Sequence, residues 1–288
     1  MASDDYAIET ASLSKSFGEK VAVRDLTLQV ERGEVFGFLG PNGAGKTTSV
    51  KMLLGLIQPS SGEARLLGYP LGLPEVRRRV GFLPEHFRFH DWLTAAEFLR
   101  LHADLYQMPA ALSRQRIPEL LELLGLSDFS QAKLRTFSKG MLQRIGLAQA
   151  LLKQPDLVIL DEPTSGLDPV GRRLVRDIIH DLQQKGTTVF LNSHLLSEVE
   201  ITCDRVAFIK HGQVLTTQPL QALMEGEVSV TVQARGLTPM IVQGLQRWSQ
   251  NVRLDGEHLS LTLPGEMALP EINRYLVTAG ADVYVFQL

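Results

Sequence analysis

Three short apolar runs, each followed by polar residues, stand out along the chain. They are GEVFGFLG at 33–40, DLVILDEP at 156–163 and TTVFLNSH at 187–194. Because these runs are apolar throughout their middles rather than alternating, they predict strands of a parallel sheet covered by helices on both faces. Helical patterns lie between them, so we expect an α/β fold with ligands at the carboxyl ends of the strands.

Residues 91–153 have mostly helical periodicity, and Pro109 separates two apolar helical faces. The first face consists of Trp92, Ala95, Ala96, Leu99, Ala103 and Tyr106, and the second of Ile117, Leu120, Leu121 and Leu124. The pattern favours a compact helical insertion. Periodicity alone leaves open the alternative that these are ordinary crossover helices of the sheet.

The pattern changes near Glu225-Gly226-Glu227, where alternating apolar positions typical of strands begin. The alternating sets are Val228, Val230 and Val232, then Leu259, Leu261 and Leu263, then Val283 and Val285. Helical segments near 237–248 and 267–278 lie between these sets. We therefore predict two domains, 1–225 and 226–288, the second being a small α+β domain of ferredoxin-like type.

Composition excludes several classes of protein. With 29 basic and 32 acidic residues, the chain has no overall field that would favour nucleic acid or an anionic membrane. Cys203 is the single cysteine, which excludes an intramolecular disulfide and a cysteine zinc cluster and favours a reducing compartment. We see neither the features of a signal peptide nor an apolar run of about eighteen residues, so we expect a soluble chain that reaches a membrane only through a partner.

The segment GPNGAGKT, Gly40 to Thr47, fits the phosphate-binding pattern G-x-x-x-x-G-K-[ST] between a predicted strand and an apolar helix. Glycines allow backbone amides to curl around a phosphate, Lys46 can reach the β- and γ-phosphates, and the Thr47 hydroxyl can ligate magnesium. The alternative is a simple glycine turn before a helix, and the full pattern argues strongly against it.

Asp161 and Glu162 follow the apolar strand of LVILDEP. Asp161 is a candidate magnesium ligand, and Glu162 is a candidate general base for the water that attacks the γ-phosphorus. Two acids after a strand are often only a helix-capping turn, but a phosphate loop in the same chain favours the catalytic interpretation. Together the two motifs predict a P-loop nucleotidase.

Further motifs follow in a characteristic order. These are Phe17 after the first strand, Glu85 in GFLPEH, FSKGM at 137–141, SGLD at 165–168, and His194 after the next strand. In this order they resemble the ATP-binding subunits of ABC transporters over about residues 7–225. The chain is especially similar to the subfamily that serves exporters of drugs, lipids, polysaccharides or sodium, whose members often carry a further C-terminal domain.

The resemblance implies roles for specific positions. Nucleotide-binding positions would be Phe17, Gly40, Pro41, Asn42, Gly43, Ala44, Gly45, Lys46, Thr47, Thr48, Glu85, Ser138, Lys139, Gly140 and Asp168. Magnesium would be held by Thr47, Glu85 and Asp161, while Lys46, Glu162 and His194 would serve catalysis. Phe17 would stack on adenine, and His194 would contact the γ-phosphate.

Two positions depart from the common family pattern: Glu85 stands where glutamine is usual, and FSKGM where LSGGQ is usual. Ser138 precedes apolar residues at helical spacing and is therefore predicted to cap a helix. The resemblance adds a second role, in which Ser138 and Gly140 contact the γ-phosphate of a nucleotide held by an opposite subunit. Lys139 could add positive charge to that contact.

The implied function is that of an ATP-hydrolysing subunit that uses ATP and Mg²⁺, pairs with a second copy or a homologue, and drives a separate membrane permease docked near residues 85–107. It would lie at the cytoplasmic face of the membrane, export being favoured over import and no nucleic acid being expected. The alternatives are an ABC-type ATPase that acts on nucleic acid or ribosomes, and a regulatory subunit without useful turnover. The transported substrate is not encoded here, because the membrane subunit selects it.

Overall fold

The computed structural model describes residues 5–87, 89–224, 228–249, 251–263 and 268–287. The chain divides into two compact units, Met1–Gln218 and Pro219–Leu288. The predicted domain boundary between residues 225 and 226 falls outside the described residues and stays a prediction.

The first unit is built on a mixed sheet, which has ten strands among the described residues. The strands are β1 (Tyr6–Phe17), β2 (Lys20–Glu31), β3 (Val35–Leu39), β4 (Ser61–Leu66), β5 (Tyr69–Pro70), β6 (Val80–Leu83), β7 (Leu157–Asp161), β8 (Thr188–Ser193), β9 (Arg205–Lys210) and β10 (Gln213–Pro219). Their spatial order is β5-β4-β1-β2-β10-β9-β3-β8-β7-β6. The side from β9 to β6 is parallel, whereas β5, β4, β1 and β2 pair antiparallel.

The three apolar runs form β3, β7 and β8, and every residue of these strands is buried. β8 lies between the other two, so Leu39 pairs with Ser193 and Asp161 pairs with Asn192. Because the three strands are parallel, the polar residues that follow them meet at one edge of the sheet. The predicted α/β class is confirmed.

Helices cover the sheet and fill the segment between β6 and β7. They are α1 (Lys46–Leu53), α2 (Pro74–Arg77), α3 (Ala95–Leu105), α4 (Ala110–Leu123), α5 (Lys139–Leu151), α6 (Pro169–Gln184) and α7 (Leu196–Thr202). Between α4 and α5 lie two short 3₁₀ turns, Ser127–Phe129 and Leu134–Thr136. The segment predicted as a helical insertion, 91–153, thus contains three of these helices.

α3 begins later than the apolar pattern indicates. Thr94 caps it: the Glu97 amide donates to Thr94 Oγ1 at 3.2 Å, and the Thr94 amide donates to Glu97 Oε2 at 2.8 Å. Trp92 precedes this capping box and is 67% exposed, so it does not belong to the apolar helical face on which the sequence placed it. A reciprocal cap fixes a helix start more strongly than one additional apolar position does.

The second unit contains α8 (Leu220–Met224), β11 (Val228–Arg235), α9 (Pro239–Gly244), a 3₁₀ turn (Leu245–Arg247), β12 (Val252–Asp255), β13 (His258–Leu263), α10 (Leu269–Thr278) and β14 (Asp282–Gln287). The described strands form an antiparallel sheet in the order β12-β13-β11-β14. From β11 onward the elements follow the β-α-β-β-α-β order that is typical of ferredoxin-like domains. Val230, Val232, Leu259, Leu261, Ile272 and Leu276 are in its own hydrophobic core.

Candidate functional site

The phosphate loop connects β3 to α1, and its glycines are required by the space around them. A Cβ on Gly40 would lie 2.3 Å from the Ile209 carbonyl oxygen, and a Cβ on Gly45 would lie 2.6 Å from the Ala22 carbonyl oxygen. Gly45 also caps α1 with φ of 104°, a conformation that L side chains rarely adopt. The backbone can therefore follow this tight path only with glycine at both positions.

Lys46 opens α1 and is almost completely buried, with 7% exposure. Its Nζ donates to the Gly40 carbonyl oxygen at 2.7 Å and to the Pro41 carbonyl oxygen at 3.4 Å. The first turn of α1 contains no acidic residue. The ammonium and the amides of the helix N-terminus therefore form a positive pocket that suits a phosphate anion.

Asp161 ends β7 and is 3% exposed. Asn192 Nδ2, on the neighbouring strand, donates to Asp161 Oδ1. Burial raises the pKa of Asp161, and the nearby carboxylates of Glu85 and Glu162 raise it further, whereas the Asn192 hydrogen bond and the Lys46 charge oppose the shift. A buried carboxylate in this situation would be stabilised by a cation.

Glu162 follows Asp161 and adopts an unusual backbone conformation, with φ of 52°. The Glu162 amide donates to the Asn192 carbonyl oxygen at 2.9 Å, and Gln143 Nε2 donates to the Glu162 carbonyl oxygen at 3.2 Å. His194 Nδ1 donates to Glu162 Oε1 at 2.7 Å. Strained non-glycine positions of this kind cluster at functional sites, and here the strain holds a buried carboxylate against a histidine that is half exposed.

Lys46, Asp161 and Glu162 line a common cavity of about 230 Å³. Its lining consists of Lys20, Val21, Ala22, Asn42, Gly43, Gly45, Lys46, Thr47, Thr48, Glu85, Asp161, Glu162 and Asn192. The sequence did not predict Lys20, Val21, Ala22 or Asn192. Asn192 could have been found as the first polar residue after the apolar Val189, Phe190 and Leu191, but the β2 residues carry no such signal.

Magnesium fits the donors in this cavity. The Thr47 hydroxyl and the Glu85 and Asp161 carboxylates are oxygen ligands of the kind Mg²⁺ prefers, and Asn192 Oδ1 is buried without a hydrogen-bond partner. Within the described part of the chain, no cluster of three or more His, Cys, Asp or Glu could hold a metal alone. A metal here would thus share its coordination with the oxygens of a bound nucleotide.

Several predicted positions lie outside this cavity lining. Phe17 is at the end of β1, 52% exposed, with Lys15 Nζ 5.1 Å from its ring centroid. Gly40, Pro41 and Ala44 belong to the loop but are not among the lining residues. His194 is also outside the lining, but its ring contacts Glu162, which is part of it. Four further predicted positions form a second cluster, namely Ser138, Lys139, Gly140 and Asp168.

The second cluster joins the start of α5 to the turn before α6. Ser138 caps α5, since its Oγ accepts from the Met141 amide at 3.2 Å, so the predicted cap is present. Leu167 Cδ2 lies 3.2 Å from the Cβ position of Gly140, and Lys139 Cε lies 2.6 Å from that of Gly166. Ser138 and Lys139 are exposed, so the face they form is accessible to another molecule.

The carboxylates, the lysine and the phosphate loop define a P-loop nucleotidase site. The sequence profile of the ABC transporter family matches residues 23–165. An uncharacterized ABC transporter ATP-binding protein of Nostoc sp. is 48% identical over 234 residues, which cover 81% of this chain and 69% of that protein. The Nod factor export ATP-binding protein I of Rhizobium sp. is 36% identical over 257 residues, which cover 88% of this chain and 84% of that protein.

A solved structure shares the fold of the first unit. It is described as a dimeric, post-hydrolysis state of an ATP-binding cassette bound to ADP and Pi, with a TM-score of 0.68 and 26% identity. The match covers 74% of this chain and 98% of that one. The chain belongs to the family of ABC transporter ATP-binding proteins, which confirms the resemblance, and it is an ABC-type ATPase.

Subunits of this family work with membrane permeases and dimerise. No helix among the described residues is long and apolar enough to cross a membrane. The family and these relatives give no support to a function on nucleic acid or ribosomes.

Proposed function

We propose that this chain hydrolyses ATP to drive a separate exporter permease. The observation that carries the proposal is the buried Glu162 carboxylate, which lines the same cavity as Lys46 and accepts a hydrogen bond from the half-exposed His194. Glu162 provides a base and Lys46 a phosphate-binding cation. Export, rather than import, is supported by the Nod factor export relative, which matches over most of its length. This pair also argues against a regulatory subunit without turnover.

In this proposal Lys46 exchanges its two carbonyl partners for the β- and γ-phosphate oxygens of ATP, while the amides of residues 40–48 surround the β-phosphate. Glu162 Oε1 accepts the proton of the attacking water, and His194 orients that carboxylate and contacts the γ-phosphate. Phe17 stacks on adenine from its exposed position at the end of β1.

Thr47, Asp161 and Glu85 hold Mg²⁺, with the Asn192 side chain orienting Asp161. The metal supplies charge neutralisation at the phosphate oxygens. Glu85 lines the same cavity, and its side chain is partly exposed, so its carboxylate would be available to the metal. An ionised Asp161 is unfavourable in its buried place without this cation.

A second copy completes the site. Ser138, Lys139, Gly140 and Asp168 lie outside the cavity of their own chain, yet Ser138 and Lys139 are exposed. In the closed dimer this cluster contacts the γ-phosphate bound by the opposite copy, or by a homologous subunit. The solved relative described as dimeric supports this arrangement.

The permease docks on residues 85–107. Trp92 and Leu105 are each 67% exposed, so this segment presents two large apolar side chains to solvent. Behind them Phe87, Phe89 and Phe98 pack together, with ring centroids 4.4–5.9 Å apart. Since this segment begins at Glu85 of the cavity, a change at the nucleotide can reach the permease. The chain is then peripheral at the cytoplasmic face.

ATP hydrolysis tests the role of the site. We expect magnesium-dependent turnover that is lost in Lys46→Ala, because the donor to the β- and γ-phosphates is removed. Lys51→Ala is the matched control, since Lys51 is an exposed lysine in the last turn of the same helix. Equal steady-state turnover of Lys46→Ala and wild type would refute the assignment of the phosphate loop.

Cross-linking tests the docking surface. Cys203 is buried, so a cysteine introduced at position 92 is the more accessible thiol. We expect Trp92→Cys to cross-link to a co-purified six-helix permease, and Ile201→Cys, at a position that is 68% exposed on α7, to fail. Cross-linking at position 201 but not at position 92 would place the permease elsewhere.

A further inference from the structure

A second cavity lies where the end of α3, the start of α4 and the end of α5 meet the end of α2. Its volume is about 270 Å³, and it shares no lining residue with the nucleotide cavity. Its apolar lining residues include Pro109, Leu112 and Leu152, and its charged lining residues are all basic. The size is near the lower end for small-molecule sites.

The charges of this cavity are not balanced. Arg78, Arg116 and Lys153 line it, and no acidic residue does. Arg116 is paired with Glu119 at 3.2 Å, but neither Arg78 nor Lys153 forms an ion pair with any described residue. Burial, followed by the positive charge of Arg78, lowers the pKa of Lys153. Two cations thus lie close together without a counter-ion.

Hydrogen-bond donors also exceed acceptors here. The Tyr106 hydroxyl accepts from Gln149 Nε2, and its own proton is not donated to any residue that the structure describes. Arg116 Nε is buried and likewise has no acceptor in the described chain. A ligand with several acceptor oxygens would satisfy groups of this kind.

The neighbouring cavity provides a comparison within the same molecule. It has a volume of about 360 Å³ and shares Arg116 and Gln154, but Asp156 and Asp181 also line it. Its basic residues therefore face acids of the same protein. The cavity between Arg78 and Lys153 differs from this neighbour in having no acidic lining residue.

We propose that this cavity binds a phosphomonoester, with the dianion between Arg78 and Lys153 and a compact apolar part against Leu112 and Leu152. A phosphomonoester carries nearly two negative charges near neutral pH, which matches two unpaired cations, and its oxygens suit the planar donors of arginine. The same dianion occurs on soluble esters and on phosphatidic acid headgroups. The cavity shares no lining residue with the nucleotide cavity, although Tyr106 and Gln107 of its lining also belong to the proposed docking segment 85–107.

Phenyl phosphate is a suitable probe, and calorimetry measures its binding to the full chain. The measurement uses the Lys46→Ala variant, because this substitution removes phosphate binding at the phosphate loop. We expect the Lys46→Ala variant to bind phenyl phosphate. Its affinity for phenyl phosphate should fall about tenfold or more when Arg78→Ala and Lys153→Ala are added. The control adds Arg173→Ala and Lys185→Ala, which removes two exposed basic side chains and should leave affinity unchanged. Leu112→Ala should weaken phenyl phosphate but not inorganic phosphate.

Flotation with vesicles distinguishes the sources. Wild type is compared on phosphatidylcholine alone and with about one phosphatidic acid in ten lipids. If the protein binds the vesicles that contain phosphatidic acid, and this binding needs Arg78 and Lys153, the ligand is a lipid headgroup. If the protein binds phenyl phosphate but not these vesicles, the ligand is a soluble ester. Equal affinity of the Arg78/Lys153 variant and the control variant, or no probe binding in the Lys46→Ala background, would overturn the proposal. ATP turnover of Arg78→Ala/Lys153→Ala should equal wild type whichever source is correct.

Discussion

At the scale of single residues, Asp161 shows how the site depends on its ligand. It is buried, it receives a hydrogen bond from Asn192, and it lies near two further carboxylates. Its raised pKa means that the folded chain without ligand binds this proton more tightly than the unfolded chain does. The protonated Asp161 therefore contributes its full stability to the folded chain below the ordinary aspartate pKa. This contribution is lost as the pH rises through the pKa of Asp161 in the folded chain.

An ionised Asp161 is costly in its buried place, and Asp161→Asn should remove that cost while keeping the size of the side chain. Without nucleotide, we expect the variant to melt above wild type where the Asp161 carboxyl of wild type is ionised, and the difference to shrink as the pH falls, because wild type then gains its proton. Melting temperatures across a range of pH measure the effect. Asp177→Asn, an exposed acid on α6, is the control and should show no such trend.

Added Mg²⁺ and ATP should reverse this order, because the cation stabilises the ionised wild-type carboxylate and has no partner charge in the variant. A variant that melts below wild type at every pH would contradict the account of Asp161.

At the scale of elements, the junction of β3, the phosphate loop and α1 depends on how closely β9 approaches. Gly40 lies against the carbonyl of Ile209 in β9, and only a residue without a Cβ fits. Gly43 differs, because nothing lies within 4 Å of its Cβ position, although its φ is 79°. One loop thus contains a glycine required by packing and a glycine required by backbone conformation.

Gly40→Ala should destabilise the first unit by about 1–3 kcal/mol, because β3 and β9 must separate to admit a methyl group. Gly43→Ala should lower the free energy of unfolding by about 1 kcal/mol, because alanine is strained in a left-handed backbone conformation even where there is space for its methyl group. Urea unfolding of both variants provides the comparison. If Gly43→Ala proved the more damaging to stability, the packing argument at Gly40 would be wrong.

At the scale of the whole molecule, the Ser138 cluster lies outside the nucleotide cavity lining of its own chain. We propose that a dimer brings this cluster to the nucleotide cavity of the opposite copy. Glu162→Gln keeps the size of the side chain but loses the base, so turnover should fall by about 100-fold or more while ATP still binds. An ATP-dependent dimer should then accumulate. Sedimentation with and without ATP measures it.

Ser138→Arg or Gly140→Asp in the Glu162→Gln background should abolish that dimer, because bulk or negative charge would meet the γ-phosphate of the opposite copy. ATP binding to the monomer should survive. If Ser138 were only a helix cap, its loss would cost about 1 kcal/mol of stability with no dependence on nucleotide. Dimers of equal strength with and without these substitutions would remove the cluster from the site.

The second unit has its own core, and the residues that line the nucleotide cavity all belong to the first unit. We propose that the segment from about residue 227 regulates or stabilises the subunit, and we expect a chain that ends at Gly226 to bind ATP normally. Nucleotide titration of this truncated chain measures the effect. A well-folded truncated chain unable to bind ATP would contradict the proposal.

The sequence by itself determined the parts of this protein that depend on local chemistry. The glycines and Lys46 of the phosphate loop follow from the geometry of a strand, turn and helix around an anion, and β3, β7 and β8 follow from runs of buried apolar residues. The cap at Ser138 is equally local. A pattern of a few consecutive residues was sufficient for each, because the interactions concerned lie within one turn or one strand.

Tertiary structure alone decided which elements became neighbours. β8 lies between β3 and β7 although it follows both in the chain, and this order brings Asn192 to Asp161 and His194 to Glu162. The unbalanced charge of Arg78 and Lys153 likewise comes from segments that are distant in sequence. Such contacts depend on packing across the whole sheet and its helices, and no local pattern of apolar and polar residues encodes that packing.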